Sequence, residues 1–473
     1  MMYELVGTRV VAPYLGASTY VWTSIIGVVL ASLSLGYWWG GNWADHEPKL
    51  HKLAPIFGMA ATLVACTGWL STIVSILIRM NELPLEIEAS LAALILFAPT
   101  ATLLGFVSPY VTRLHVETLS TIGKRLGTMA AFSTVGSIIG TFLAGFWLIP
   151  LFGTEQLLLI ISLLLMGLGV VCAVSGKQWQ MVVGILIVVL TMVGLRQFTL
   201  SRSSEIDIDT AYSRVQVTKT TDLTTNRPIV LLHTDAGEAQ SAMYLDGDDY
   251  VFAYTKLMDV FKVVQPTPKR VLILGGAGYT MPRHLLEWES KPEVTVVEID
   301  PDMTEIARTY FGLVDHQRLT IKHTDARTFL AATDQQYDVI MVDVFSHGYG
   351  IPFHILTKQS LREFRQHLQP NGVMVVNVIG APQGKHDELV GSVYQTFQTQ
   401  FPTVQLFSAY PTMPTMLQNV VILATSVEIE TNQVSSSEYG QFQLQQPPLR
   451  GRILTDNYAP MEAMVRAQWK LQE

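Results

Sequence analysis

Two hydrophobic rhythms divide this chain. Up to about residue 200 the apolar positions run on for some twenty residues at a time; beyond it they come in short runs separated by polar segments. The long stretches lie near 18–40, 54–80, 88–112, 126–151, 155–175 and 180–197. Each approaches the ~20 residues that cross a ~30 Å hydrocarbon core, so the pattern predicts about six spans in a transmembrane domain over 1–200. Small residues recur at four-residue spacing, Gly36 and Gly40, then Gly136, Gly140 and Ala144, where they would let helices approach closely. Trp22, Trp38, Trp39 and Trp43 suit the ends of a span. No acidic or basic residue lies deep in a stretch, which weakens the case for ion-coupled transport.

After a polar connection the period changes. Residues 212–218 alternate, 229–233 and 241–245 read as further strands, and Asp246-Gly247-Asp248 is turn chemistry. Residues 201–255 therefore predict a small antiparallel sheet. From 256 to 430 buried strands alternate with amphipathic helices: strands at 270–274, 294–298, 319–322, 337–343 and 373–378, with helices near 283–289, 302–310 and 357–368. That alternation predicts a doubly wound, mostly parallel α/β sheet. Residues 431–473 read as a polar C-terminal tail.

Composition sharpens the division. Of 473 residues 49% are hydrophobic and 15% charged, against about 25% charged in soluble domains. Residues 1–202 carry a net charge near +2 and the remainder near −10. An acidic soluble part argues against nucleic acid as a partner, and the composition excludes disordered, collagen-like and disulfide-built chains. Cys66 and Cys172 sit in apolar runs and read as small hydrophobes. No Cys/His spacing suits zinc, and no separable signal peptide is visible. Lys49, Lys52, Arg113, Lys124, Arg125 and Lys177 lie on one side of the predicted spans, and Arg9, Arg79, Arg196 and Arg202 on the other. This slight bias places the soluble part outside.

Ligands of such sheets bind at the carboxyl ends of the strands, where four features fall. Gly275-Gly276-Ala277-Gly278 follows the first strand and allows close backbone approach. Glu298 ends the second, 20 residues beyond Gly278, placed to accept from both hydroxyls of a ribose. Asp325-Ala326 follows the third and is a candidate reader of an adenine amino edge. Asp343 ends the fourth and is a candidate base or cation ligand. The glycine-rich segment from Ser346 and His347 to Pro352 is a candidate lid. Position 281 is Met where a dinucleotide fingerprint wants its third Gly, and no Walker lysine follows the glycines. An adenosyl sulfonium is favoured over NAD or ATP.

In order along the chain, Tyr244-Leu-Asp-Gly247, Phe252-Ala-Tyr-Thr-Lys-Leu-Met258, Leu274-Gly-Gly-Ala-Gly278, Val296-Val-Glu-Ile-Asp300, Thr324-Asp-Ala-Arg327 and Tyr337-Asp-Val-Ile-Met-Val-Asp343 resemble spermidine synthases, the polyamine aminopropyltransferases. The resemblance covers about 205–430 and implies that the doubly wound sheet is Rossmann-like, of the methyltransferase type. Tyr3-Glu4-Leu through Gly36-Tyr, with Gly40-Gly-Asn-Trp-Ala-Asp45, resembles the membrane part of fused transporter-like/spermidine synthase proteins, and by that resemblance the family's first helix is expected to be cut short or misassigned here. It implies that Glu298 holds the ribose and Asp325 with Ala326 the adenine of decarboxylated S-adenosylmethionine. It further implies that Asp343 is the catalytic aspartate, and that Asp246 and Tyr254 line the site together with Gly275, Gly276 and Gly278. No metal is implied. The family's turn carries Asp where this chain has Ala277, its lid carries a second Asp where this chain has Ser346, and its glutamine after the Leu-Asp-Gly strand has no clear counterpart.

The sequence thus predicts a membrane-anchored transferase that moves an aminopropyl group to a putrescine-like amine and releases methylthioadenosine. Ala277 keeps intact S-adenosylmethionine open as the donor, with methyl transfer, cleavage or cyclisation as alternatives. A non-catalytic nucleoside sensor regulating the membrane half is a further alternative. The lipid bilayer and a homodimeric contact through the small sheet are the expected associations. Because adenosyl sulfonium compounds are made in the cytoplasm, the soluble part is expected on the cytoplasmic face of the inner membrane, against the charge bias.

Overall fold

A computed structural model of the chain describes all residues except 17, 47, 80–82, 116–121, 185–186, 189–190, 192–204, 235–238, 346–350, 430–433, 449 and 470–473. The chain forms two compact units, Met1–Arg214 and Val215–Glu473.

The first unit is helical. Helix α1 (Met2–Leu15) was not among the expected spans. Its 14 residues rise only about 21 Å, but it carries core side chains. The Tyr3 hydroxyl donates to the Leu96 carbonyl at 3.2 Å and lies 2.9 Å from Thr67 Oγ1, and its ring meets Phe97 edge-on at 5.6 Å. Helices α2 (Thr19–Ala44), α3 (Ala54–Arg79), α4 (Leu85–Leu96), α5 (Ala98–His115), α6 (Ile122–Leu143) and α7 (Ile149–Ser175) follow.

Three stretches are long and apolar enough to cross a membrane, Thr19–Ala44, Leu50–Val74 and Gly123–Ser175. A fourth is possible if α4 and α5, bent by 54° against each other, act as one. Two of the six expected spans fall within the single Gly123–Ser175 stretch, which breaks at Gly153. The stretch at 88–112 breaks because Pro99, lacking an N–H, opens the first turn of α5 and restricts the residue before it. Those at 126–151 and 155–175 form one helical run interrupted at Gly153, whose φ of 71° suits glycine alone. Asp209 of β1 (Ile206–Asp209) caps the restart, accepting from the Thr154 N–H at 2.7 Å. Arg9 donates to the Thr210 carbonyl at 2.9 Å. Much of the stretch at 180–197 lies outside the described residues.

The two small-residue motifs differ in use. A Cβ on Gly36 would come within 2.2 Å of the Thr102 carbonyl oxygen, one on Gly40 within 2.4 Å of that of Phe106, and one on Gly105 within 2.7 Å of that of Leu33. Helices α2 and α5 therefore cross at backbone contact, which a side chain at these positions would prevent. Gly136 has nothing within 4 Å, so the second motif makes no such crossing there.

The second unit opens within β2 (Arg214–Thr221), at Val215, and continues with β3 (Pro228–Thr234) and β4 (Ala239–Tyr244), an antiparallel meander with Val217 opposite Leu232 and Leu231 opposite Ala242. Helix Ala253–Met258 leads to the larger sheet of β5 (Arg270–Leu274), β6 (Glu293–Glu298), β7 (Leu319–His323), β8 (Tyr337–Val342), β9 (Leu368–Gly380), β10 (Thr403–Ser408) and β11 (Gln418–Thr425). Its order is β10-β11-β9-β8-β5-β6-β7. Pairs from β7 through β9 are parallel, and β11 enters antiparallel between β9 and β10. Strand β5 has β6 on one side and β8 on the other, which makes its carboxyl end the topological switch point. Strands β1, β10 and β11 were not foreseen.

The segment read as a polar tail contributes to this core: Leu454, Met461 and Met464 are buried with the β8 and β9 side chains. Asp456 ties it down further by accepting from Arg327 at 3.1 Å and from Thr357 at 2.5 Å.

Candidate active site

Strand β5 delivers the chain into Gly275 with φ 91°, a left-handed conformation that glycine adopts without strain. A Cβ there would sit 2.3 Å from the Asp343 carbonyl oxygen. The adjoining strand end thus passes against bare backbone, and the Asp343 N–H bonds the Leu274 carbonyl at 2.9 Å. Ala277 and Tyr279 also take positive φ, 43° and 53°. The turn is held from outside: Gly278 N–H donates to Ser241 Oγ at 3.1 Å. The Tyr279 ring, fully buried, lies where a Gly276 Cβ would be, and its hydroxyl meets Thr304 Oγ1 at 2.7 Å. Burial, with Glu298 nearby, pushes the Tyr279 phenol above its ordinary range.

Glu298, at the end of β6, is buried. Its Oε2 accepts from the N–H of Gly276 at 2.7 Å and of Ala277 at 3.3 Å, and its Oε1 from that of Asp300 at 2.9 Å. A carboxylate offers about four lone-pair directions, so three N–H groups leave room for about one further donor. The structure makes Glu298 the organiser of the glycine turn as well as a candidate hydroxyl acceptor, a double role the sequence did not disclose.

Asp343 sits just past β8. Asn377 Nδ2 donates to its Oδ1 at 2.9 Å, and the Tyr254 hydroxyl to its Oδ2 at 3.3 Å. Burial raises the Asp343 carboxyl to about 6, although both donors pull it down. Burial and the facing carboxylate push the Tyr254 phenol well above its usual range. Tyr254, expected from the resemblance to line the site, stands on helix Ala253–Met258 with its hydroxyl against Asp343.

Asp325 caps the helix Ala326–Ala331, accepting from the Thr328 N–H at 3.0 Å. Its other oxygen lies 3.6 Å from His354 Nε2. Burial lifts its pKa, but the Thr328 N–H and the facing His354 outweigh this and hold it below the usual carboxylate range. Asp246 is placed differently. It is exposed at the turn after β4 and paired with Arg227 at 2.8 Å. Arg227 also lies over the Tyr244 ring, 3.8 Å from its centroid. Ser346 and His347, the candidate lid residues, lie outside the described residues.

Sequence reasoning missed Asn377 and Asn419. Asn377 is the one polar residue among Val373–Val378, and 1% exposed. A lone amide in a buried strand must find partners, and that was the available signal. Among the described residues no cluster of His, Cys, Asp and Glu could hold a metal ion.

Residues 251–435 match the spermine/spermidine synthase domain family. A polyamine aminopropyltransferase of Vibrio vulnificus is 33% identical over 143 residues, covering 29% of this chain and 48% of that enzyme. The chain thus spans about half the length of that relative. Polyamine aminopropyltransferase 1 of Streptomyces coelicolor is 24% identical over 411 residues, 80% of this chain and 72% of the enzyme. The spermidine synthase of Thermotoga maritima aligns in structure with a TM-score of 0.40 at 17% identity, over 52% of this chain and 81% of that one.

Proposed function

We propose that this chain, whose residues 251–435 match the spermine/spermidine synthase domain family, transfers the aminopropyl group of decarboxylated S-adenosylmethionine to a putrescine-like amine. The observation that carries this reading is Asp343. It is a carboxylate raised to about 6, held by Tyr254 and Asn377 against the glycine turn at the switch point. Such a group is ionised near neutral pH yet basic enough to take a proton from an ammonium or an attacking amine. The amine lone pair forms the new N–C bond at the propyl carbon next to sulfur. The C–S bond breaks with its electron pair going to sulfur, so a positive sulfonium leaves as neutral methylthioadenosine. The proton lost by nitrogen passes to Asp343 and then to solvent.

Glu298 retains about one acceptor direction for a ribose hydroxyl. Asp325, Ala326 and the turn Gly275-Gly276-Ala277-Gly278 form the remaining strand-end surface for the nucleoside. The sulfonium is its own leaving group, so alignment and a neutral amine are what the protein must supply. The apolar helices of the first unit are read as the membrane anchor, with the second unit on the cytoplasmic side where the donor is made.

Ala277 favours a second reading. It brings no carboxylate to the turn, so a donor that retains its own carboxylate meets no like charge from this position. Intact S-adenosylmethionine, cleaved or cyclised at the same carbon, fits that feature. One experiment separates the readings: detergent-purified protein is given either donor, with and without putrescine, and products are identified by mass spectrometry. Methylthioadenosine and spermidine formed only from the decarboxylated donor plus putrescine support aminopropyl transfer. Methylthioadenosine from S-adenosylmethionine alone supports the second reading, and S-adenosylhomocysteine would overturn both in favour of methyl transfer.

A further inference from the structure

Asp343 does not stand at the end of its network. Asn377, buried in β9, donates from Nδ2 to Asp343 at 2.9 Å and accepts at Oδ1 from Asn419 Nδ2 at 3.1 Å. Asn419 lies on β11, opposite Ile379, while Asn377 lies opposite Val421. The two asparagines are therefore diagonal neighbours on one face of the antiparallel pair, within side-chain reach. A carboxamide presents a donor at one end and an acceptor at the other, and rotation by half a turn exchanges them. Contact with Asp343 alone favours the donor end, but Asn419 is the partner whose own donor holds the amide in that sense.

We infer that Asn419 is a positioning residue, which acts through Asn377 to keep an N–H donor, rather than a carbonyl oxygen, against the carboxylate of Asp343. The inference rests on the reading of Asp343 as the proton acceptor. Reversing the Asn377 amide would aim a lone pair at the carboxylate and disfavour its charged form. Among the described residues, the side chains facing Asp343 are Tyr254 from helix Ala253–Met258 and Asn377 from β9; the turn after β5 presents backbone. Among the described residues no second side-chain donor reaches Asp343 Oδ1 to compensate for a reversal.

The test uses the full chain in detergent, as wild type, N419D and N419L, each also in a D343N background. Ionised aspartate at 419 only accepts, so Asn377 should turn its donor towards it and its carbonyl towards Asp343. The expected result for N419D is an acid limb of kcat/KM displaced upward by about one pH unit, a tenfold loss at a fixed acidic pH, with donor KM changed less than twofold. N419L, which removes the donor without demanding one, should show a smaller displacement of the same sign. An unmoved limb in folded N419D, or a loss confined to KM, overturns the inference.

A second readout needs no turnover. The difference in melting temperature between N419D and wild type should vary between pH 5 and 8 when Asp343 is present and lose the Asp343-dependent part in the D343N background. Identical pH dependence in both backgrounds overturns the inference. A wild type without turnover would sink the transferase reading alone, since the melting series still decides the role of Asn419. If N419D fails to fold, N419L read in the same two backgrounds serves instead.

Discussion

At the scale of single residues, the chemistry of the second unit concentrates on two carboxylates in opposite settings. Asp343 has two side-chain donors and a carboxyl raised to about 6. Glu298 takes three backbone N–H groups, which leaves about one acceptor direction free, and acts first as a structural anchor. Asp343→Asn removes the proposed proton acceptor and should lower kcat by about 10²–10⁴, while methylthioadenosine binding measured by calorimetry stays near wild type. A binding loss equal to the rate loss would instead make Asp343 a ligand-holding group. The pH profile follows from the sign of the shift. A base is competent when deprotonated, so kcat/KM should fall about tenfold per unit as pH drops below about 6 and level off above it; a limb near 4 would mean that Asp343 is not the group titrating. Asp343 and Glu298 were legible in the sequence because each ends an apolar run. The distinction between them was not, because it depends on N–H groups that converge only when the turn folds.

At the scale of elements, the turn after β5 is the part least tolerant of change. Gly275→Ala places a methyl group 2.3 Å from a carbonyl oxygen at φ 91°. The backbone conformation alone costs about 1 kcal/mol, and the clash adds to it by displacing the Asp343 strand end. Lower thermal stability together with a loss of kcat is expected. Wild-type turnover in a folded G275A protein would show that the turn and Asp343 are not mechanically linked. Helix α7 illustrates a different limit of sequence reading. Its apolar pattern is continuous, and the break at Gly153 depends on Asp209, 55 positions away, for the capping of Thr154.

For the whole molecule, the two halves of the sequence correspond to an apolar helical unit and an acidic α/β unit. The chain should remain with membranes after an alkaline carbonate wash and be released by detergent. Release by carbonate would count against anchoring by α2, α3 and the Gly123–Ser175 run. A reporter fused after Glu473 that is active only on the cytoplasmic side would support the proposed orientation. The C-terminal segment belongs to the fold of the second unit. Truncation after Gly451 removes Leu454, Met461 and Met464 from the core, and burial of such side chains contributes about 1.5–3 kcal/mol each. The truncated chain should therefore aggregate or melt markedly lower, and an unchanged melting temperature would show the segment to be dispensable.

The sequence alone determined the division into an apolar and an acidic half, the strand–helix alternation, and the strand-end positions of Gly275, Glu298, Asp325 and Asp343. Each of these follows from local periodicity and from residue types that act over a few positions. Only the tertiary structure decided that Asn377 and Asn419 stand behind Asp343, that Asp246 pairs with Arg227, and that the polar C-terminal segment closes the core. Those outcomes depend on which strands become neighbours. Strand β11 reaches Asn377 because it inserts antiparallel beside β9, a pairing that no periodicity within either strand encodes.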